Sequence, residues 1–168
     1  ISELEEVFAA EGNGRINAVC DEDVTIFSAE DWKNYSEEKQ QEIWTKYLYI
    51  TTVSALGALT RASHGEMLAS PYIKRMMRNT AQEIFAVAKA KGVNLPDNII
   101  QKQFEIIASL PFETTASLQR DIMDGKPSEL EAQNGTIVRL GKELGIPTPT
   151  NELIYECLLP QENRARQV

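Results

Sequence analysis

Histidine occurs once and cysteine twice in this chain of 168 residues. Cys20 and Cys157 form no C-x-x-C pair and have only His64 as a possible imidazole partner. Neither a disulfide framework nor a metal site is expected, and a reducing, cytoplasmic setting suits the chain. The nine glycines never form G-x-G-x-x-G or G-x-x-x-x-G-K-[ST]. Gly12-Asn-Gly14 is the nearest approach and opens no strand–turn–helix unit, so no dinucleotide cradle is expected within this sequence. Basic residues are outnumbered, 17 Lys and Arg against 25 Asp and Glu, for a net charge of −8. That balance offers no electrostatic footprint for nucleic acid or for an anionic membrane. There is no apolar N-terminal segment of the secretory kind, and Ile1 is not an initiator methionine. The sequence therefore reads as a piece of a longer protein or a processed product.

What is present is ordinary for one globular domain: 42% hydrophobic and 25% charged residues, at a length that buries a real core. The most uniform apolar run, residues 43–60, contains one charge, Lys46. Its length raises the membrane question, but four threonines, a serine and the lysine argue for a helix buried within protein. Residues 2–11 predict a short helix with Ser2 as cap and Gly12 as stop. Alternation over 12–30 suggests one or two short strands.

Helical periodicity then dominates. A long helix is expected over about 38–61, followed by a loop over 62–70 with Ser70 and Pro71 as the next start signal. Ile73, Met77, Thr80, Ile84 and Val87 mark a helix ending at Gly92. Pro96 opens another, with Ile99, Gln103, Ile106 and Leu110 on one face. Residues 117–123 form a short turn of helix. Ser128 and Glu131 read as a capping box for a helix ending at Gly145 and Pro147, and 151–159 is a last short helix before a frayed end. The division expected is a leading segment over 1–39 and a helical domain over 40–168, all-α, with six or seven helices and a possible strand pair near the N-terminus.

Several residues are candidates for chemistry. Lys46 shares its helical stripe with Ile50, Val53 and Gly57. A buried ammonium must be paired or lose its proton, which suits proton donation near neutral pH; alternatively the side chain snorkels into water. Glu129 is either a functional carboxylate or an ordinary acid at a helix N-terminus. Ser117 either caps its helix or offers a hydroxyl to a ligand. Asp121 reads as structural, and Gly135, beside Asn134, as a close-packing position. His64 reads as a surface loop residue and Met76-Met77 as core.

The stretch 117–135, with Ser117, Asp121, Glu129, Asn134 and Gly135 in that order, resembles the signature of the C-terminal domain of ketopantoate reductases. Trp44-Thr-Lys46, the helix from Glu83 to Gly92, and Gly145-Ile-Pro-Thr-Pro149-Thr-Asn151 are similar to the same family, over roughly residues 40–160. The resemblance implies a helical fold of the 6-phosphogluconate dehydrogenase C-terminal-like type and a share in NADPH-dependent reduction of a 2-oxo acid, in pantothenate biosynthesis. NADPH would be held mainly by an N-terminal Rossmann domain, with at most a contact from Glu129. Lys46 and Glu129 would be catalytic, and Ser117 and Ser54 would bind substrate. Lys46 would protonate or polarise the forming alkoxide, and Glu129 would orient it or hold the substrate hydroxyl. Many family members carry asparagines where this sequence has Ile50 and Ser54; the serine retains a hydroxyl, whereas isoleucine cannot replace an amide. A same-family reductase of another oxo acid and a non-catalytic helical interaction domain are the alternatives. The partners implied are a small 2-oxo acid, the Rossmann domain and a second copy of the chain, with no nucleic acid or membrane. This chain alone is expected neither to bind NADPH tightly nor to turn over.

Overall fold

The computed structural model describes residues 35–167. The helix expected over 2–11 and the strands expected over 12–30 lie outside them. The described residues are all helical: α1 (Glu37–Thr60), α2 (His64–Ala69), α3 (Pro71–Ala90), α4 (Ile99–Ser109), α5 (Ser117–Met123), a π-helical turn (Glu131–Gly135) running into α6 (Thr136–Leu144), and α7 (Pro149–Ala165).

The apolar run becomes α1, the axis of the domain. Ser36 caps it by accepting a hydrogen bond from the Lys39 amide at 3.2 Å, and Glu37 and Glu38 face the positive end of the helix dipole. A helix apolar on all sides must be covered on all sides, and every residue from Thr51 to Ala58 is buried. Two of its hydroxyls bond back to the preceding turn, Thr52 to the Leu48 carbonyl at 2.7 Å and Thr60 to that of Leu56 at 2.8 Å.

Two cores form along this axis. Trp44, Tyr47 and Leu48 pack with Ala81, Ile84 and Val87 of α3 and with Ile137 and Leu140 of α6. One turn further on, Val53 and Leu56 meet Met67, Met77, Leu118, Leu130, Ile154 and Leu158. Each such side chain contributes about 1.5–3 kcal/mol when fully buried. Glu83 on α3 ties that helix to the start of α7. Its carboxylate accepts the Thr150 and Asn151 amides at 2.8 and 2.9 Å and the Asn151 side-chain amide at 2.7 Å, capping α7 from a neighbouring helix. Asn151 in turn accepts from the fully buried Asn134 at 3.1 Å.

Four local expectations need correction. Residues 62–70 are not a loop throughout, because Ser63 and Glu66 form a complete capping box that starts α2. No capping box joins Ser128 to Glu131: Ser128 is drawn to Glu162, and Glu131 bonds to Arg139 and Tyr155. The buried face of α4 is Ile99, Gln103, Phe104 and Ile107, with Ile106 only half-buried, and the helix starts at Ile99 rather than beside Pro96. The described residues after 159 are not frayed as far as Ala165. α7 continues through Pro160 to Ala165, held by Glu162, which is 3% exposed.

Candidate functional site

The middle of α1 turns one face toward a cavity of about 110 Å³. Tyr49, Ile50, Val53 and Ser54 form that face. His64 from α2, Thr114–Ala116 from the loop after α4, Ser117 and Arg120 from α5, and Glu129 and Gln133 from the approach to the π turn complete the lining. Four segments distant in sequence thus meet at one place.

Local chemistry holds each wall. The first amides of α2 are stitched to the neighbouring loop, His64 N–H donating to the Thr114 carbonyl at 2.9 Å and Gly65 N–H to that of Phe112 at 3.0 Å. A Cβ on Gly65 would lie 2.2 Å from the Phe112 ring, so only glycine permits this approach. α5 docks on α1 at Gly57, where a Cβ would stand 2.5 Å from Gln119 Oε1, and Gln119 Nε2 donates to the Ala62 carbonyl at 3.0 Å. Arg120 donates to the Thr115 carbonyl at 2.7 Å, which shapes the loop and leaves a cation in the wall.

The acidic wall is fixed from two directions. Glu162 accepts the Ser128 amide at 3.0 Å and its hydroxyl at 2.6 Å, while Arg166 donates to the Ser128 carbonyl and to Glu162, both at 2.7 Å. The residue before Glu129 is therefore immobilised. On the other side, Tyr47 donates its hydroxyl to the carbonyls of Gln133, at 2.5 Å, and Ala132, at 3.1 Å. Gln133 Nε2 then donates to Glu129 Oε2 at 3.1 Å.

Ser54, Ser117 and Glu129 are brought together in this cavity; Lys46 is not part of its lining. The lysine is half-buried on α1, one turn before Ile50 on the same face, and forms no ion pair or hydrogen bond among the described residues. Helical side chains lean toward the N-terminus, which carries Lys46 beyond the end of the cavity. Ser117 is not a cap: Ala116 holds that position, and no side chain caps α5. Gly135 is a close-packing position, since a Cβ there would meet Glu131 Oε2 at 2.9 Å and the Tyr155 ring at 3.0 Å.

His64 departs most from expectation. It is 2% exposed, and neither ring nitrogen has a partner among the described residues. Burial lowers its pKa from 6.5 to about 4, so the imidazole is neutral at pH 7. Burial likewise pushes the Tyr49 phenol up to about 12. The signals for the missed residues were short: Ser63-x-x-Glu66 fixes His64 at the start of a helix, and Gln133 follows Glu129 by one turn. Among the described residues no group of three or more His, Cys, Asp or Glu is arranged to hold a metal, and no helix is long and apolar enough to cross a membrane. The lining also lacks the glycine-rich turn that a dinucleotide pyrophosphate requires.

This all-helical fold, with a mixed polar and apolar cavity beside its axial helix, has known counterparts. Residues 38–162 match the family model described as "Ketopantoate reductase PanE/ApbA C terminal", and the chain belongs to that family. It is 33% identical over 135 residues to a 2-dehydropantoate 2-reductase of Aquifex aeolicus, covering 76% of this chain and 42% of that protein. It superimposes with a TM-score of 0.71 and 28% identity on a ketopantoate reductase of Staphylococcus aureus described as dimeric, covering 75% of this chain and 44% of that one. The chain thus spans less than half the length of these relatives. A shorter stretch of 47 residues, 28% of this chain, is 55% identical to part of a leucine–tRNA ligase of Christiangramia forsetii and covers 5% of that protein.

Proposed function

We propose that this chain is the substrate-binding half of a 2-dehydropantoate 2-reductase, which reduces the ketone of ketopantoate with NADPH. The observation that carries this reading is the convergence of Ser54, Ser117 and Glu129 on one cavity in a chain of this family. The hydride comes from a reduced nicotinamide held by a nucleotide-binding domain outside this chain. The residues here bind the oxo acid, orient it and manage charge.

Carbonyl reduction develops negative charge on oxygen, which a positioned cation stabilises best. Lys46 is the cation assigned to that oxygen, as proton donor. Because it stands one turn outside the cavity, it must swing inward when substrate and the second domain close the site; a catalytic contact that tightens only in the complex is common. Glu129, held by Gln133, orients the lysine or receives the substrate hydroxyl. Ser54 and Ser117 bond the substrate, and Arg120 offers a second cation for its carboxylate. A homodimer is the assembly this reading favours, by likeness to the dimeric Staphylococcus aureus relative, and the cytoplasm its compartment.

The test is Lys46→Ala in the full-length enzyme. It should lower kcat by roughly 10²–10⁴, the span of general acid catalysis, without moving the thermal midpoint. Undiminished turnover would overturn the mechanism. Ile50 and Val53 give the cavity an apolar wall and favour a second reading, a reductase of a more apolar oxo acid. A panel of 2-oxo acids compared by kcat/KM separates the two.

A further inference from the structure

Gln133 carries an inference that rests on this functional reading and deepens it. The side chain is 2% exposed and lines the cavity. Its two polar atoms are in different situations. Nε2 donates to Glu129 Oε2 at 3.1 Å, whereas Oε1 is buried without a hydrogen-bond partner among the described residues. The carboxylate fixes which atom is which, because an ionised acid accepts hydrogen bonds only. Leaving a buried carbonyl unpaired is costly, and leucine or methionine of similar size would avoid the cost.

The backbone beneath this side chain is held unusually well. Tyr47 donates to the Gln133 carbonyl at 2.5 Å, the Gln133 amide donates to the Glu129 carbonyl at 2.9 Å, and the π turn begins two residues earlier. π turns occur often at functional sites. A fixed backbone, one amide hydrogen committed to Glu129 and one unsatisfied acceptor together describe a group waiting for a donor. Oxo-acid carboxylates and ketones have no donor; a hydroxyl has one. His64 in the same cavity lacks partners at both nitrogens and, as a neutral ring, has one N–H to give such a hydroxyl in return.

We infer that Gln133 is a positioning and specificity-determining residue: its amide N–H orients Glu129, and its carbonyl accepts the hydroxyl of a hydroxylated 2-oxo acid. A site with a buried acceptor rejects an analogue that lacks the donor, because the acceptor is then left unpaired.

The test compares 4-hydroxy-3,3-dimethyl-2-oxobutanoate (ketopantoate) with 3,3-dimethyl-2-oxobutanoate, which differs only by that hydroxyl. The readout is the ratio of their kcat/KM values in the full-length enzyme, for wild type and for Gln133→Met, which keeps the length and removes both polar atoms. Wild type should favour the hydroxylated acid, and Gln133→Met should reduce that preference by about tenfold, the size of one buried hydrogen bond. A merely structural amide would leave that ratio unchanged. An unchanged ratio in a variant with a normal melting temperature overturns the inference. Gln133→Leu is the second variant; if neither folds, the amide is structural and the inference falls. No turnover of either acid by wild type overturns the functional reading, and this inference with it.

Discussion

Mild acid should destabilise this protein through one side chain. His64 is the only histidine, is 2% exposed, and has its pKa lowered to about 4 by burial. The unfolded chain takes up a proton near pH 6.5, while the folded chain resists until about pH 4. The depressed value means that the stabilising neutral form is fully in place above pH 6.5, and that stability drains away as pH falls through the window down to 4. Linkage puts the loss at about 2 kcal/mol between pH 7 and pH 5, and about 3 kcal/mol by pH 4. Against a total stability of about 5–15 kcal/mol, that is a large share. Urea unfolding at pH 7 and pH 5 measures it, with His64→Leu as the variant that cannot titrate. Wild type should lose about 2 kcal/mol more than the variant over this interval. The single ring signal in a proton NMR titration gives the pKa directly. A ring titrating near 6.5, or the same pH dependence in both proteins, would refute the reasoning.

Other substitutions test the scaffold. Glu162→Ala removes the acceptor of the Ser128 amide and hydroxyl and of Arg166, and should cost roughly 2–4 kcal/mol in chemical unfolding, since two buried donors lose their partner and an exposed guanidinium loses its carboxylate. Gly141→Ala places a Cβ 2.7 Å from both the Ile146 carbonyl and the Thr148 methyl. Its overpacking penalty of about 1–3 kcal/mol should exceed the gain in helix propensity and lower the melting temperature. Tyr47→Phe keeps the edge-on contact with Trp44 but removes the hydroxyl held by the Ala132 and Gln133 carbonyls, for a loss of about 1 kcal/mol by urea titration.

The helices were legible where a repeat of one residue class decides the structure. The helix expected over about 38–61 around the apolar run 43–60 agrees with α1, 37–60, to within a residue at each end, because an apolar helix needs no partner-specific information to be buried. Ser70-Pro71 marks α3 by the same local logic. What local pattern does not reveal is a polar group satisfied from far away. Ser128 and Glu131 have capping-box spacing, yet Glu162 and Arg166 compete for the serine and Arg139 and Tyr155 for the acid. The last helix is expected to end at Leu159, yet α7 passes through Pro160, with Glu162 anchored to Ser128 beyond. His64 reads as exposed because its neighbours in sequence are small and polar; what covers it is the 112–114 loop, bonded to the first turn of α2. In the site, Ser54, Ser117 and Glu129 were singled out by resemblance, whereas Gln133 and Arg120 follow from geometry alone.

The clamp of Glu162 and Arg166 on Ser128 gives the last turns of α7 an influence that their position conceals. Residues beyond Pro160 lie far in sequence from Glu129 and line no part of the cavity. Yet their loss would release the amide, hydroxyl and carbonyl of the residue that immediately precedes Glu129. A molecule shortened at Pro160 would keep both hydrophobic cores and still melt cooperatively. Its stability would drop by about as much as in Glu162→Ala, and the second defect would surface at the acidic wall of the cavity, as an enzyme that is folded but poorly aligned.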